Sequence, residues 1–124
     1  MVLVDTSVWV DHFREGVPAL ADLLERNVVF MHPFVHGELA CGNLKSRAET
    51  LLLLANLPMA PQASNEEVLE FIEANRLMGK GIGLIDAHLL ASVVLAADAR
   101  LWTHDRRLGG VAKRMKCRYG APPN

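Results

Sequence analysis

The chain opens on Val2-Leu3-Val4, which runs into Asp5 and then straight into Thr6-Ser7-Val8-Trp9. A short apolar run of this composition reads as a buried strand. Hydroxyl residues directly after it start a helix, so Thr6 or Ser7 is expected as the cap. In open α/β sheets ligands sit at the carboxyl ends of strands. Asp5 is therefore placed either for chemistry or as a helix cap, and the choice turns on whether other acids converge on it.

Strand and helix signals then alternate. The first helix is expected to run to about Arg14 and to end at Gly16, and Pro18 opens a second over Ala19 to Arg26. Val28 to Met31 reads as a strand, followed by Pro33 and a helix over Phe34 to Cys41 that Gly42-Asn43 stops. Ser46 to Asn56 is a further helical stretch, and Pro58 and Pro61 bracket a minor extended piece. Ser64-Asn65-Glu66-Glu67 is a capping box that starts a helix through Leu77. A loop with Gly79, Gly81 and Gly83 leads into Leu84 to Ala97, apolar almost all round and hence expected to be a buried central helix. Leu101 to Thr103 is a strand, Asp105 precedes a basic helix to about Met115, and Cys117 to Tyr119 reads as a last edge strand before a Pro-rich tail. Strands alternating with helices predict a parallel sheet covered on both faces, of four to five strands.

The 124 residues, 51% hydrophobic, suffice for one domain with a real core. No apolar stretch is long enough to span a bilayer, and no basic segment followed by a longer apolar run marks a signal peptide, so a cytoplasmic protein is expected. Cys41 and Cys117 are far apart and lack a CxxC pattern, which points to two buried thiols rather than a disulfide framework or zinc knuckle. Charge is unevenly spread. Residues 1–99 hold 6 Lys/Arg against 13 Asp/Glu, a balance of −7, whereas residues 100–124 hold 7 against 1, a balance of +6. A basic end on an acidic body suits a polyanion or an acidic partner, or is a solvated basic helix face.

Four acids stand apart. Asp5 ends the first strand, Glu38 lies in the helix after the second, Asp86 lies in the first turn of the apolar helix, and Asp105 follows a later strand. Asp5 and Asp105 have an ordinary alternative as helix caps, and Glu38 as part of a wet helix face. Asp86 is harder to dismiss, because a carboxylate on a buried helix is costly unless paired or bound to metal. A carboxylate cluster without a basic neighbour repels itself, and a hard divalent cation is the usual remedy. Thr6, Ser7 and Thr103 are placed to hold waters or phosphate oxygens around it. His32 and His36 are four apart, but Pro33 blurs their register and no HExxH is present, so zinc is disfavoured. His88 and His104 flank two of the acids, and Trp9 and Trp102 read as core. An aspartate-nucleophile phosphatase would place its Asp at the end of the first strand too, but it wants a second Asp where Ser7 stands.

Val-Asp-Thr-Ser-Val-Trp (4–9), Gly-Glu-Leu-Ala (37–40), Leu-Ile-Asp-Ala-His-Leu-Leu-Ala-Ser (84–92) and Leu-Trp-Thr-His-Asp-Arg-Arg-Leu (101–108) together resemble the PIN-domain ribonucleases, most of all the VapC toxins of toxin–antitoxin pairs. The resemblance spans residues 2–119. It implies an α/β/α sandwich and carries the family's acidic quartet onto Asp5, Glu38, Asp86 and Asp105, with Thr6 and Thr103 at its small hydroxyl positions. It further implies Mg²⁺- or Mn²⁺-dependent hydrolysis of RNA, a homodimer, and a VapB-like antitoxin that obstructs the site. Asp5, Asp86 and Asp105 are then the expected metal ligands, with Glu38 acting through water. Arg106, Arg107, Lys113 and Arg114 are the expected grips on RNA phosphates. Leu20, Leu23, Leu24 and the Leu51 to Leu54 stretch are candidate antitoxin contacts. The rival within this fold is a non-catalytic binding module, whose mark would be lost acids, and none of the four is missing.

Overall fold

A computed structural model of the chain describes residues 1–120, so the Pro-rich tail expected at the C-terminus lies outside the described residues. Among these residues three parallel strands form the sheet: β1 (Val2–Val4), β2 (Val29–Phe30) and β3 (Arg100–Trp102), in the order β2-β1-β3. Leu3 pairs with Phe30 on one side and with Leu101 on the other. Successive strand residues point to opposite faces, yet Val2, Leu3 and Val4 are all buried, so helices cover the sheet on both faces. The result is an α/β sandwich, as the alternating pattern predicts.

Ladder pairing is shorter than the expected four to five strands. The pieces expected at Pro58–Pro61 and Cys117–Tyr119 do lie at the two edges, but each contributes a single bridge, Met31 to Met59 and Leu101 to Arg118. Prolines flank the first piece and cannot donate to a ladder. The left-handed Lys116 turns the chain just before the second.

Among the described residues seven helices surround the sheet: α1 (Thr6–Glu15), α2 (Pro18–Glu25), α3 (Pro33–Ala40), α4 (Arg47–Ala55), α5 (Asn65–Ala74), α6 (Leu84–Leu95) and α7 (Arg106–Arg114). The Ser64–Glu67 capping box is formed with both hydrogen bonds. α5 stops short of Leu77 because Arg76 adopts a left-handed conformation. The middle of α6 is buried from Ala87 to Val93, but Leu84, Val94 and Leu95 at its ends are exposed, so the helix is central only over its middle turns. Trp9 and Trp102 are core, as expected. Cys117 is buried, whereas Cys41 is exposed, because it lies in the turn that ends α3.

The consequence for function lies in β1. It is the central strand and its neighbours lie on opposite sides, so its carboxyl end is the point where the chain's crossovers diverge. That is where α/β sheets open a crevice, and Asp5 stands in it.

Candidate metal centre

Asp5 occupies the N-cap position of α1, yet its carboxylate makes no capping bond. Oδ2 instead accepts two hydroxyl protons, from Ser7 Oγ and from Thr103 Oγ1, each at 2.7 Å. Neither Thr6 nor Ser7 caps the helix. Asp5 is only 6% exposed and Thr103 5%, so this is a buried charge held by hydroxyls. The same hydroxyls hold the turn after β3. His104 N donates to Ser7 Oγ at 3.0 Å, and Asp105 N donates to Thr103 Oγ1 at 2.9 Å. Asp5 N also donates to Trp102 O. Residues nearly a hundred positions apart are thus locked into one strand-end structure.

Each of the other acids is anchored through one oxygen. Thr6 Oγ1 donates to Glu38 Oε1 at 2.7 Å, which ties the first turn of α1 to exposed Glu38 on α3. Gly83 N donates to Asp86 Oδ2 at 3.1 Å at the start of α6. Leu108 N donates to Asp105 Oδ1 at 2.9 Å, so Asp105 does cap α7. All four carboxylates therefore present one oxygen bonded by the protein and a second without a protein hydrogen bond among the described residues.

The four share one electrostatic environment. The Asp86 carboxyl is raised above its ordinary value, chiefly by burial, and further by the negative charges of Asp5, Asp105 and Glu38, while the Gly83 hydrogen bond pulls the other way. Among the described residues no ion pair reaches any of them; the pairs are Arg14–Asp11, Arg26–Asp22 and His104–Asp11. Carboxylate oxygens without an ion-pair partner are the donors a hard divalent ion takes. Among the described residues no three carboxylate, imidazole or thiol side chains close into a ready cage.

The sequence matches the PIN domain over residues 2–114. It is also 48% identical over 108 residues to Ribonuclease VapC32 of Mycobacterium tuberculosis, in strain CDC 1551 / Oshkosh and in strain ATCC 25618 / H37Rv, an alignment that covers 87% of this chain and 87% of the relative. The chain belongs to the VapC ribonucleases of the PIN-domain family.

In this VapC chain the basic residues divide by position. Arg106 and Arg107 begin α7, next to Asp105. Arg107 lies across Gly81, whose left-handed backbone and missing side chain make room for it: a Cβ there would come within 2.5 Å of Arg107 Cδ. Lys113 and Arg114 are at the far end of α7, and Arg114 Nη2 donates to Asn75 O, so they are not brought to the acids. The candidate partner contacts also change. Leu20, Leu23 and Leu54 are core, which leaves Leu52 and Leu53 as the exposed residues of that set.

The histidines do not pair for zinc. His36 Nε2 bonds Leu51 O, and His32 Nδ1 accepts the Phe34 amide proton as the cap of α3. Burial, helped by nearby His88, pushes His32 down to about 4. His104 is tied through Nδ1 to Asp11 Oδ2 at 2.6 Å. Reading the sequence missed Asp11, which looks like any polar residue on an exposed helix face until the fold brings it opposite His104.

Proposed function

We propose that this VapC-type ribonuclease is a Mg²⁺- or Mn²⁺-dependent endoribonuclease and the toxin of a toxin–antitoxin pair, with Asp5, Asp86 and Asp105 holding metal and Glu38 acting through water. The supporting observation is that all four carboxylates are anchored through one oxygen and keep the other free of protein partners. An acid whose only task is capping has no reason to gather beside three others without an ion pair among the described residues.

When bound, a hard divalent ion at these oxygens activates water and neutralises charge on a phosphodiester. The chain's own residues set the geometry. Ser7 and Thr103 saturate Asp5 Oδ2 and so leave Oδ1 as the oxygen available to an ion. The caps on Asp86 and Asp105 do the same from the starts of α6 and α7. Thr6 fixes Glu38 by one oxygen and leaves the other to accept a proton from water. Arg106 and Arg107 border the site and take RNA phosphates as point charges and forks. A VapB-like antitoxin offering a cation to the four acids would be electrostatically welcome and would block the site. The active assembly is proposed to be a homodimer.

Asp5→Ala tests the assignment. Metal-dependent cleavage of single-stranded RNA should vanish, and a purified variant that cuts as fast as wild type sinks it. A non-catalytic binding module is distinguished by titration. Relief of carboxylate repulsion should raise the melting temperature with Mn²⁺, and no shift at millimolar metal would favour that module.

A further inference from the structure

A cavity of about 410 Å³ opens between α1, α3 and the turn into α4, and Glu38 forms part of its wall. That volume falls within the range of about 300–1,000 Å³ for small-ligand clefts. Its apolar lining comes from Val10, Phe13, Leu39 and Leu44. Phe13 is 41% exposed, and its ring is stacked on the buried Trp9 at 5.8 Å and 28°. The platform is thus fixed from behind and open in front. Asn43 and Thr50 supply polar groups, and Arg14, paired with Asp11, and Lys45 supply cations.

We infer that this cavity is a specificity subsite for one nucleobase of the substrate RNA, stacked on Phe13 beside the scissile phosphate. The inference rests on the ribonuclease reading given above. Three features point to a base. The wall shared with Glu38 means that a strand whose phosphate lies at the acids passes the mouth of the cavity. Single-stranded RNA is read by splaying bases onto aromatic rings and bonding their edges, and ring, amide and hydroxyl are all present. The flanking cations suit the phosphates on either side of such a base and disfavour a basic peptide.

The test is cleavage of a random-sequence single-stranded RNA pool with Mn²⁺, with the cut ends sequenced. Wild type should show a base preference at one nucleotide flanking the cut. Phe13→Leu, which keeps apolar bulk without a ring, should weaken that preference about tenfold and leave the preferences at other positions intact. Phe13→Tyr should retain it. Val10→Trp, which narrows the mouth while leaving Phe13 in place, should weaken it too, so the test does not hang on one variant's folding. A variant profile identical to wild type with cutting intact overturns the subsite, including the case where the variants lose only inhibition by a partner protein. Wild type that fails to cut with metal overturns the ribonuclease reading itself, and the subsite with it.

Discussion

Replacing Asp86 by Asn should move stability and function in opposite directions. Asn keeps the size of Asp and an oxygen for the Gly83 amide proton, so α6 keeps its N-terminal anchor. What disappears is a charge opposed first by burial and then by Asp5, Asp105 and Glu38. Because Asp86 titrates above its ordinary value of 3.8, the folded chain holds its proton more tightly than the unfolded one. That contribution is complete below the unfolded value and is lost as pH rises through the raised folded value, so at neutral pH the full penalty is in force. Burial and three like charges all oppose the ionised form, and a relief of about 1 kcal/mol, that of one close like-charge pair under water-like screening, is the expected gain. For a chain of this size each kcal/mol shifts Tm by about 4 °C, which predicts a rise of roughly 4 °C in EDTA at neutral pH. Near pH 4 the gain should shrink. Wild type held at 100 times its metal Kd gains about 2.7 kcal/mol on top, whereas the variant should gain little and should not cut RNA. Scanning fluorimetry with and without Mn²⁺, beside a cleavage assay, reads all of this. A variant no more stable than wild type in EDTA, or one equally stabilised by Mn²⁺, refutes the reasoning.

Thr103→Val keeps the shape of a buried side chain but removes the donor to Asp5 and the acceptor of the Asp105 amide. Stability should fall by about 2 kcal/mol and cleavage by one to two orders of magnitude, measured by urea unfolding and RNA turnover. Arg106→Ala with Arg107→Ala should flatten the salt dependence of RNA binding by about 0.7 in log–log slope per lost phosphate contact, as fluorescence anisotropy would show. His32 titrates at about 4 in the folded chain against 6.5 when free. Its contribution to stability is present above the unfolded value and is lost as pH falls towards the folded one. His32→Asn should therefore remove about 2 kcal/mol of the stability difference between about pH 7 and about pH 5 in denaturant titrations.

The parts of the fold that follow from local chemistry are legible in the sequence. Val2–Val4 carries its own burial and handover signal, and the Ser64–Glu67 box forms as written. The four acids stand out because strand ends and helix starts are the places where an α/β sheet gathers side chains. What was hidden depends on partners distant in sequence. Asp5 looks like a cap until Thr103 and Ser7 are seen to claim its oxygen. Leu20 and Leu23 look like a sticky surface stripe because helical periodicity says which residues share a face, not whether that face meets the core. Phe13 is one turn from Trp9, and nothing in the sequence tells the buried ring of that pair from the exposed one. Cys41 was expected in the core on residue type alone, and the turn after α3 overrides that preference.

The Ser7–Asp5–Thr103 knot also bears on timing. Its halves lie 98 residues apart in sequence, and no segment of a growing polypeptide holds both until β3 and the turn beyond it have left the ribosome. Because chains fold as they emerge, N-terminal parts first, a nascent chain short of Asp105 has the first strand, the first helices and even Asp86 in hand but no finished site. The strand end that carries Asp5 is thus a property of the folded whole and of no N-terminal fragment, because the hydroxyl that fixes its carboxylate arrives with Thr103.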